Sequence, residues 1–566
     1  MKKLKVLLVI AILLLPGMVF CTQDSIKNVI LMIPDGCSTA LLSMTRQYAQ
    51  YHDANYTSLP IDAYFCGMVM THSSDAPIGD SAPTTSCYVT GQPSQTGFVS
   101  TYPVKTDHDL YPIDAKQAYQ PMATVLEAAR ILKHKATGLV FTCEFPHATP
   151  ADCSAHSYYR SKYGAIAPQM VHNHIDVVIG GGTKYLTDKL AKELKTEGYQ
   201  VFLNDKKGME ATQSGKMWAL FNKTCMEYEI ERNPSEEPSL AEMTQKAIDL
   251  LSQKEEGFFL MVEGSKVDWA AHDNDVKTAI LDFLAFNDAV QVAMDFARKD
   301  GNTVVLVLPD HGCGGFNIGS RQSNHGYDKL TLEQIMKPLD NYTLSTDSMA
   351  KIIKKEDIEK IPALMEKYYK IQLTEEELDK IYHSKDFKNS PVAKEERKET
   401  SLTKTIARIV YDRTYFGYTT HGHTGEDVFL ACYHPQNDRP NGVISNIEVN
   451  EYLCRQLGIT GQLSRLTEDI FTSHTTLFPD AKNITIDSLD KDHYRLTVQY
   501  KKHKLVANSY DNYVTIDKQI VPLSSVVVFM EKNKTFYLPK ELRKYLISEK
   551  HLSFPPPLPG RFSACR

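Results

Sequence analysis

Six short segments of the chain carry residue types that metal-assisted hydrolysis can use. The densest is Val262-Glu263-Gly264-Ser265-Lys266-Val267-Asp268-Trp269-Ala270-Ala271-His272. An acid closes an apolar run, a second acid follows five residues later and a histidine four after that. In a helix, Asp268 and His272 share one face because i and i+4 are neighbours, and such a pair suits zinc, which accepts imidazole and carboxylate. Taken alone, the segment also reads as a capped surface helix. Leu308-Pro309-Asp310-His311-Gly312 sets an Asp-His pair after another apolar run, a ligand pair or an incidental neighbour. His421-Gly422-His423-Thr424-Gly425 offers two imidazoles in a turn that equally suits an exposed loop.

Gly79-Asp80-Ser81-Ala82-Pro83-Thr84-Thr85-Ser86 places a serine among small residues. Ser81 reads as a metal-activated nucleophile. It also reads as part of a helix N-terminus capped by Asp80 or Ser81; the two are compatible, since backbone amides there favour an alkoxide. Thr84, Thr85 and Ser86 fall inside that helix and are weaker candidates. In His147-Ala148-Thr149-Pro150-Ala151, Thr149 supplies a hard oxygen suited to magnesium. The Arg160 fork fits two oxygens of a phosphate, or a surface carboxylate. Phosphate-monoester hydrolysis needs an activated nucleophile, an electrophile at the leaving oxygen and fixed positive charge on the nonbridging oxygens. Two metals about 4 Å apart meet the first two needs, and an arginine meets the third.

The elements that must position these groups follow from hydrophobic patterning. Asn28–Pro34 is apolar and ends in Asp35-Gly36. Thr137–Cys143 leads to Glu144 and His147, Ile175–Ile179 to three glycines, Phe258–Val262 to Glu263, and Thr303–Leu308 to Asp310-His311. Each is a buried parallel strand by length and composition. Helical stretches (Met122–His134, Leu240–Gln253, Lys277–Asp300) lie between them. The alternation predicts an α/β fold with a doubly wound, mostly parallel central sheet flanked by helices, whose ligand crevice lies at the carboxyl ends of the strands. A Lys- and Glu-rich helical insertion occupies about 340–400, with helices expected over Ile361–Lys370 and Thr374–Ser384. Asn483–Val506 alternates apolar and polar residues around a turn near Lys491-Asp492, and Tyr513–Phe529 is similar, predicting a small β-rich C-terminal module. The expected division is a signal peptide at 1–21, a catalytic domain at 22–456, the module at 475–548 and a tail at 549–566.

The chain has 566 residues, 42% hydrophobic and 23% charged, so it is globular. A net charge of -6 gives no basic field for nucleic acid as a main partner. Lys2, Lys3 and Lys5 precede an apolar run, Val6–Leu15, with the pattern of an export signal that is short for a membrane span. The expected location is periplasmic or extracellular, with no transmembrane span in the mature chain. Cys21 is an alternative, lipid-anchored first residue. The 11 cysteines form no CxxC pair, and none is assigned to a disulfide.

In chain order, these segments resemble the alkaline phosphatase family in its serine-nucleophile branch, from about Asn28 to His434. The Gly314-Gly315-Phe316-Asn317-Ile318-Gly319 run that follows Asp310 also looks like family sequence. The resemblance implies a phosphoserine formed on Ser81 and a phosphate grip by Arg160. It implies one zinc on Asp268, His272 and His423, a second on Asp35, Asp310 and His311 beside Ser81, and a magnesium on Thr149 and Glu263, with Asp35 bridging. His421 has no role in that set. It further implies small phosphate monoesters as substrates and a homodimer. His147 and Trp269 stand where many bacterial members carry Asp and Lys, positions that tune magnesium affinity and phosphate release. Cys37, Pro83 and Thr84 also depart from the usual pattern without removing a ligand. The rival readings are a diesterase, sulfatase or phosphomutase of the same superfamily, and a secreted binding protein that keeps only the fold. Ser81-Ala82-Pro83-Thr84-Thr85 lacks the arginine of a C-x-P-x-R sulfatase motif, and no ligand position is lost.

Overall fold

The computed structural model describes residues 26–547. The signal peptide, Cys21, Cys565 and the tail at 549–566 lie outside the described residues. Eight strands carry the centre of the fold: β1 (Asn28–Ile33), β2 (Phe65–Met70), β3 (Ala136–Glu144), β4 (Val177–Gly181), β5 (Gln200–Leu203), β6 (Met217–Phe221), β7 (Phe258–Glu263) and β8 (Thr303–Val307). With the strands Val428–Tyr433 and Gly442–Ser445 they form a ten-stranded sheet. Its order runs from Gly442–Ser445 through β2, Val428–Tyr433, β8, β1, β7, β3, β4 and β6 to β5. Only Val428–Tyr433 runs antiparallel to its neighbours, β2 and β8. The other pairings are parallel, as an α/β sheet covered on both faces requires.

The middle strands are apolar along their whole length because both faces are covered. Val29, Leu31 and Ile33 join one buried cluster, and Ile30 and Met32 join the cluster on the opposite face. Burying each such side chain contributes about 1.5–3 kcal/mol, which fixes where the strands end. The helix Val276–Asp300 lies on the Ile30 face. Asp275 caps its start by accepting from Thr278 N, and Gly301, at φ 75°, ends it in the left-handed region that glycine tolerates.

The inserted region has helices Thr346–Ile353, Ile361–Tyr369 and Glu375–Tyr382, then an irregular run before the helix Leu402–Tyr411. It is built into the fold: Met349, Ile353, Met365, Tyr369, Ile381 and Phe387 are buried in the cluster of β1 and the helix Val276–Asp300. Asp275 ties the two regions, since its other oxygen accepts from Thr346 N at 2.7 Å.

Beyond residue 480 lies a five-stranded antiparallel sheet: Asn483–Ser488, Tyr494–Tyr500, His503–Asn508, Tyr513–Ile516 and Gln519–Pro522. The stretch expected to be one hairpin to Val506 contains a second turn. The buried positions change phase from Leu496, Val498 and Tyr500 to Leu505 and Ala507 across Lys501-Lys502, and Lys501 takes φ 54°. A further hairpin, Val528–Met530 with Thr535–Leu538, pairs with Thr472-Ser473. Its Val528, Met530 and Tyr537 belong to the buried cluster on the Val29 face of the large sheet.

Candidate active site

The carboxyl ends of β1, β7 and β8 deliver three acids to one crevice. Asp35 follows β1 by two residues, Glu263 is the last residue of β7, and Asp310 follows β8 by three. All three are fully buried. Asp268 and His272 project from the helix Lys266–Asp273, and their side chains meet at 3.3 Å. The sharp turn after β1 lets Asp268 approach: Gly36 takes φ 65°, and a Cβ there would lie 2.4 Å from Asp268 Oδ1.

Ser81 is the first residue of the helix Ser81–Thr90. Its hydroxyl lies 3.5 Å from each Asp35 carboxylate oxygen and 3.3 Å from His311 Nε2. Asp80 stands at the N-cap position but makes no side-chain bond to the helix. It is paired instead with Arg160 Nη1, and Arg160 Nη2 lies 3.0 Å from His147 Nε2. The guanidinium is thereby held beside the serine. Sequence reasoning gave Asp80 only a capping role, because its partner is 80 positions away.

The three histidines are set by one device. The Nδ1 atoms of His272, His423 and His311 face the carbonyls of His421, Gly79 and Gly312 at 2.6, 2.9 and 3.1 Å. A carbonyl only accepts, so each Nδ1 carries a proton and each Nε2 points the other way, into the crevice. His272 Nε2 and His423 Nε2 are 3.1 Å apart, and His423 Nε2 is 3.8 Å from Asp268 Oδ1. The His311 and His423 rings stack at 3.8 Å. His311 Nε2 is 3.5 Å from both Asp35 Oδ1 and Asp310 Oδ2. Asp310 Oδ1 accepts from Gly36 N and His311 N, each at 3.0 Å, which leaves Oδ2 as its open oxygen. His421 contributes its carbonyl, and its own Nδ1 turns to His272 O.

Among the described residues, three groups of side chains offer donor atoms close enough to share an ion: Asp268, His272, Cys313 and His423; Asp35, Asp268 and His311; and Cys143, His147 and Glu263. Cys313 and Cys143 were not expected; neither lies in a spacing that signals a metal ligand. Burial and the Asp268 carboxylate push the Cys313 thiol up, so it stays protonated in the protein alone. Cys143 Sγ donates to Glu263 Oε2 at 3.3 Å. The Glu263 Oε1, Asp268 Oδ1, Asp310 Oδ2 and Thr149 Oγ1 atoms are buried without a hydrogen-bond partner. Unpaired buried polar atoms cost about 1–3 kcal/mol each, and imidazole nitrogens with hard oxygens are the donors that zinc and magnesium take. The residues present therefore fit metal ions.

The electrostatics agree. Burial and the neighbouring Asp310, Asp268 and Glu263 raise Asp35 well above the usual carboxylate range. Burial raises Glu263 to about 7, with Asp310 adding to it. Burial opposes charge on Asp268, but His272, His311 and His423 hold its carboxyl low, and Asp268 in turn holds His272 up at about 9 against burial. Burial and Arg160 push His147 down to about 3, so its ring is neutral. Trp269 packs edge-on to that ring at 5.8 Å, and Lys266 Nζ lies 4.4 Å over the indole.

The sequence matches the model of the alkaline phosphatase family over residues 26–459. It is 33% identical to alkaline phosphatase 3 of Bacillus subtilis over 77% of this chain and 90% of that protein. It is 28% identical to the repressible alkaline phosphatase of Saccharomyces cerevisiae over 83% of this chain and 87% of that one. The crystal structure of a cold-active alkaline phosphatase from a psychrophilic Shewanella superposes with a TM-score of 0.64 at 27% identity, covering 77% of this chain and all of that one.

Proposed function

We propose, from the premise that this chain belongs to the alkaline phosphatase family and is a phosphate-monoester hydrolase, that it works through a phosphoserine on Ser81 at a site for two Zn2+ and one Mg2+. One observation carries this reading: the Ser81 hydroxyl, at a helix N-terminus, faces Asp35 and His311 at 3.3–3.5 Å, inside a ring of imidazole nitrogens turned inward by backbone carbonyls. Asp268, His272 and His423 would hold one zinc, and Asp35, Asp310 and His311 the second. Thr149 and Glu263 would hold magnesium, with Asp35 between. When bound, these ions supply Lewis acidity for the leaving oxygen and favour the deprotonated serine.

The chain's own residues do the rest. Ser81 Oγ gives its proton to solvent and attacks phosphorus; the Oγ–P bond forms as the ester P–O bond breaks, and the released alkoxide takes a proton from water. A water molecule then attacks the phosphoserine, and the P–Oγ bond breaks to give inorganic phosphate and restore Ser81. Arg160 has five donors, of which Asp80 and His147 engage two nitrogens, and the remaining N–H groups grip phosphate oxygens. His147 puts an imidazole where an oxygen ligand would favour magnesium. Export to the periplasm or cell exterior and a homodimer belong to the same reading, with a lipid anchor at Cys21 as the alternative to a cleaved signal. No described helix is long and apolar enough to cross a membrane.

The test is hydrolysis of a chromogenic phosphate monoester near pH 9 against the matching diester and sulfate ester, for wild type and Ser81→Ala. The expected result is a strong monoester preference and loss of turnover in Ser81→Ala, with phosphate incorporation into the protein lost in parallel. A fully active Ser81→Ala protein rules out the phosphoserine route, and preference for the diester or sulfate rules out the substrate class.

A further inference from the structure

Arg160 has no regular element to hold it. It sits in a turn, Tyr159–Lys162, closed by Lys162 N donating to Tyr159 O at 3.1 Å. Before the turn, Ser157 makes an isolated bridge to Val99, and Arg160 N donates to Gly97 O at 2.8 Å. After it, the helix Tyr163–His172 begins without a side-chain cap. A grip on phosphate needs its fork placed to within a fraction of an ångström, and a four-residue turn alone does not provide that.

The residues on either side of the arginine are both held by one carboxylate from the far end of the chain. Tyr158 Oη donates to Glu531 Oε2 at 2.7 Å, and Lys162 Nζ pairs with Glu531 Oε1 at 2.6 Å. Lys162 Nζ also donates to Tyr158 Oη at 3.1 Å, closing a triangle. The Tyr158 ring lies beneath two ammonium groups, Lys162 at 4.9 Å and Lys532 at 5.3 Å from its centre. Lys162 and Glu531 are 17% and 23% exposed, so salt and water loosen the pair far less than a surface pair. Glu531 opens the turn between the strands Val528–Met530 and Thr535–Leu538, whose Val528 and Met530 are buried in the core of the large sheet. The carboxylate is thus mounted on a rigid base.

We propose that Glu531 is a positioning residue for the phosphate site: it clamps Tyr158 and Lys162 and so fixes the turn that presents Arg160 beside Ser81. This gives the C-terminal hairpin, which lies beyond the family match at 26–459, a part in substrate binding. The inference rests on Arg160 being the phosphate grip.

The experiment uses the full-length, metal-loaded protein. Monoester hydrolysis and competitive inhibition by inorganic phosphate are measured for wild type, Arg160→Ala, Glu531→Ala, Glu531→Gln and the Arg160→Ala/Glu531→Ala double variant. Glu531→Ala should raise KM and the phosphate inhibition constant by about 10-fold while kcat falls by no more than about 2-fold. In the Arg160→Ala background the same change should add less than about 2-fold, because the clamp then has nothing to position. Glu531→Gln keeps an acceptor for Tyr158 and should recover part of the affinity. Unchanged phosphate inhibition in Glu531→Ala, or additive losses in the double variant, overturns the proposal while leaving Arg160 as the grip. Unchanged inhibition in Arg160→Ala alone refutes the grip itself, and that result is read without reference to Glu531. If Glu531→Ala does not fold, Tyr158→Phe, which removes the 2.7 Å bond to Glu531 and the 3.1 Å bond from Lys162 while keeping the ring, replaces it with the same expected sign and the same refuting result.

Discussion

Glu263→Gln should make the metal-stripped protein more stable while depriving it of magnesium. Glu263 is fully buried, and its carboxyl is raised from 4.5 to about 7, by burial first and by Asp310 after it. A group whose folded-state pKa lies above its unfolded value favours the unfolded state as pH rises. The cost is absent below pH 4.5, grows through the interval and is complete above pH 7. Its full size is about 3 kcal/mol, at 1.36 kcal/mol for each pH unit of displacement. Glutamine has the same shape and no charge to bury. Its carbonyl oxygen can accept from Cys143 Sγ as Glu263 Oε2 does, and its amide can occupy the place of the unpartnered Oε1. Denaturant unfolding with a chelator present, at pH 5 and pH 8, measures the effect. The variant should exceed wild type by about 2–3 kcal/mol at pH 8 and by less than about 1 kcal/mol at pH 5. Activation by added magnesium should disappear in the same variant. A variant equal to or weaker than wild type at pH 8, or a difference that does not grow between the two pH values, refutes the reasoning. The Cys143 bond would then be stabilising the carboxylate by more than its burial costs.

Three further outcomes follow from the same geometry. Gly36→Ala meets Asp268 Oδ1 at 2.4 Å and Asp268 Cα at 2.8 Å in a left-handed backbone conformation, so it should lose about 1–2 kcal/mol from the backbone alone and bind less zinc; full zinc content by elemental analysis would show that Asp268 can retreat. Zinc must displace the proton that Asp268 holds on His272 up to about pH 9, so apparent zinc affinity of the stripped protein should rise by about tenfold per pH unit towards pH 9 in a chelator competition, and a flat dependence would remove His272 from the ligands. His147→Asp exchanges a neutral imidazole for a carboxylate and should lower the magnesium concentration for half-activation by about 10-fold; no change would place residue 147 away from the ion.

The centre of the sheet was legible because its strands are buried on both faces and stop at an acid. β1, β7 and β8 read as apolar runs, and Asp35, Glu263 and Asp310 stand where those runs end. β2 is less legible: Phe65–Met70 is half-buried over most of its length, its apolar run is broken by Gly67 opposite Gly442, and no acid closes it. β6, Met217–Phe221, is as buried as β1 but short and without a chemical residue at its end. Ligand types were legible from local spacing, as with Asp268 and His272 one helical turn apart. What local spacing could not carry was any pairing across the chain. The Asp80–Arg160 contact, the carbonyls that turn His272 and His423, and the Glu531 clamp join residues 80 to more than 370 positions apart.

The hairpin that carries Glu531 also bears on how the protein is made. Val528, Met530 and Tyr537 belong to the same buried cluster as Val29, Leu31 and Ala129, so among the described residues a core that begins with the first strand is completed by the last hairpin. A nascent chain that stops short of the hairpin leaves apolar residues of that cluster uncovered, the feature that chaperones and proteases recognise. Synthesis therefore has to finish before that core can close. Prematurely terminated chains should be cleared as unfolded polypeptide and should not accumulate as active fragments. The closing hairpin acts as a proofreading step for completeness, ahead of any encounter with zinc or substrate.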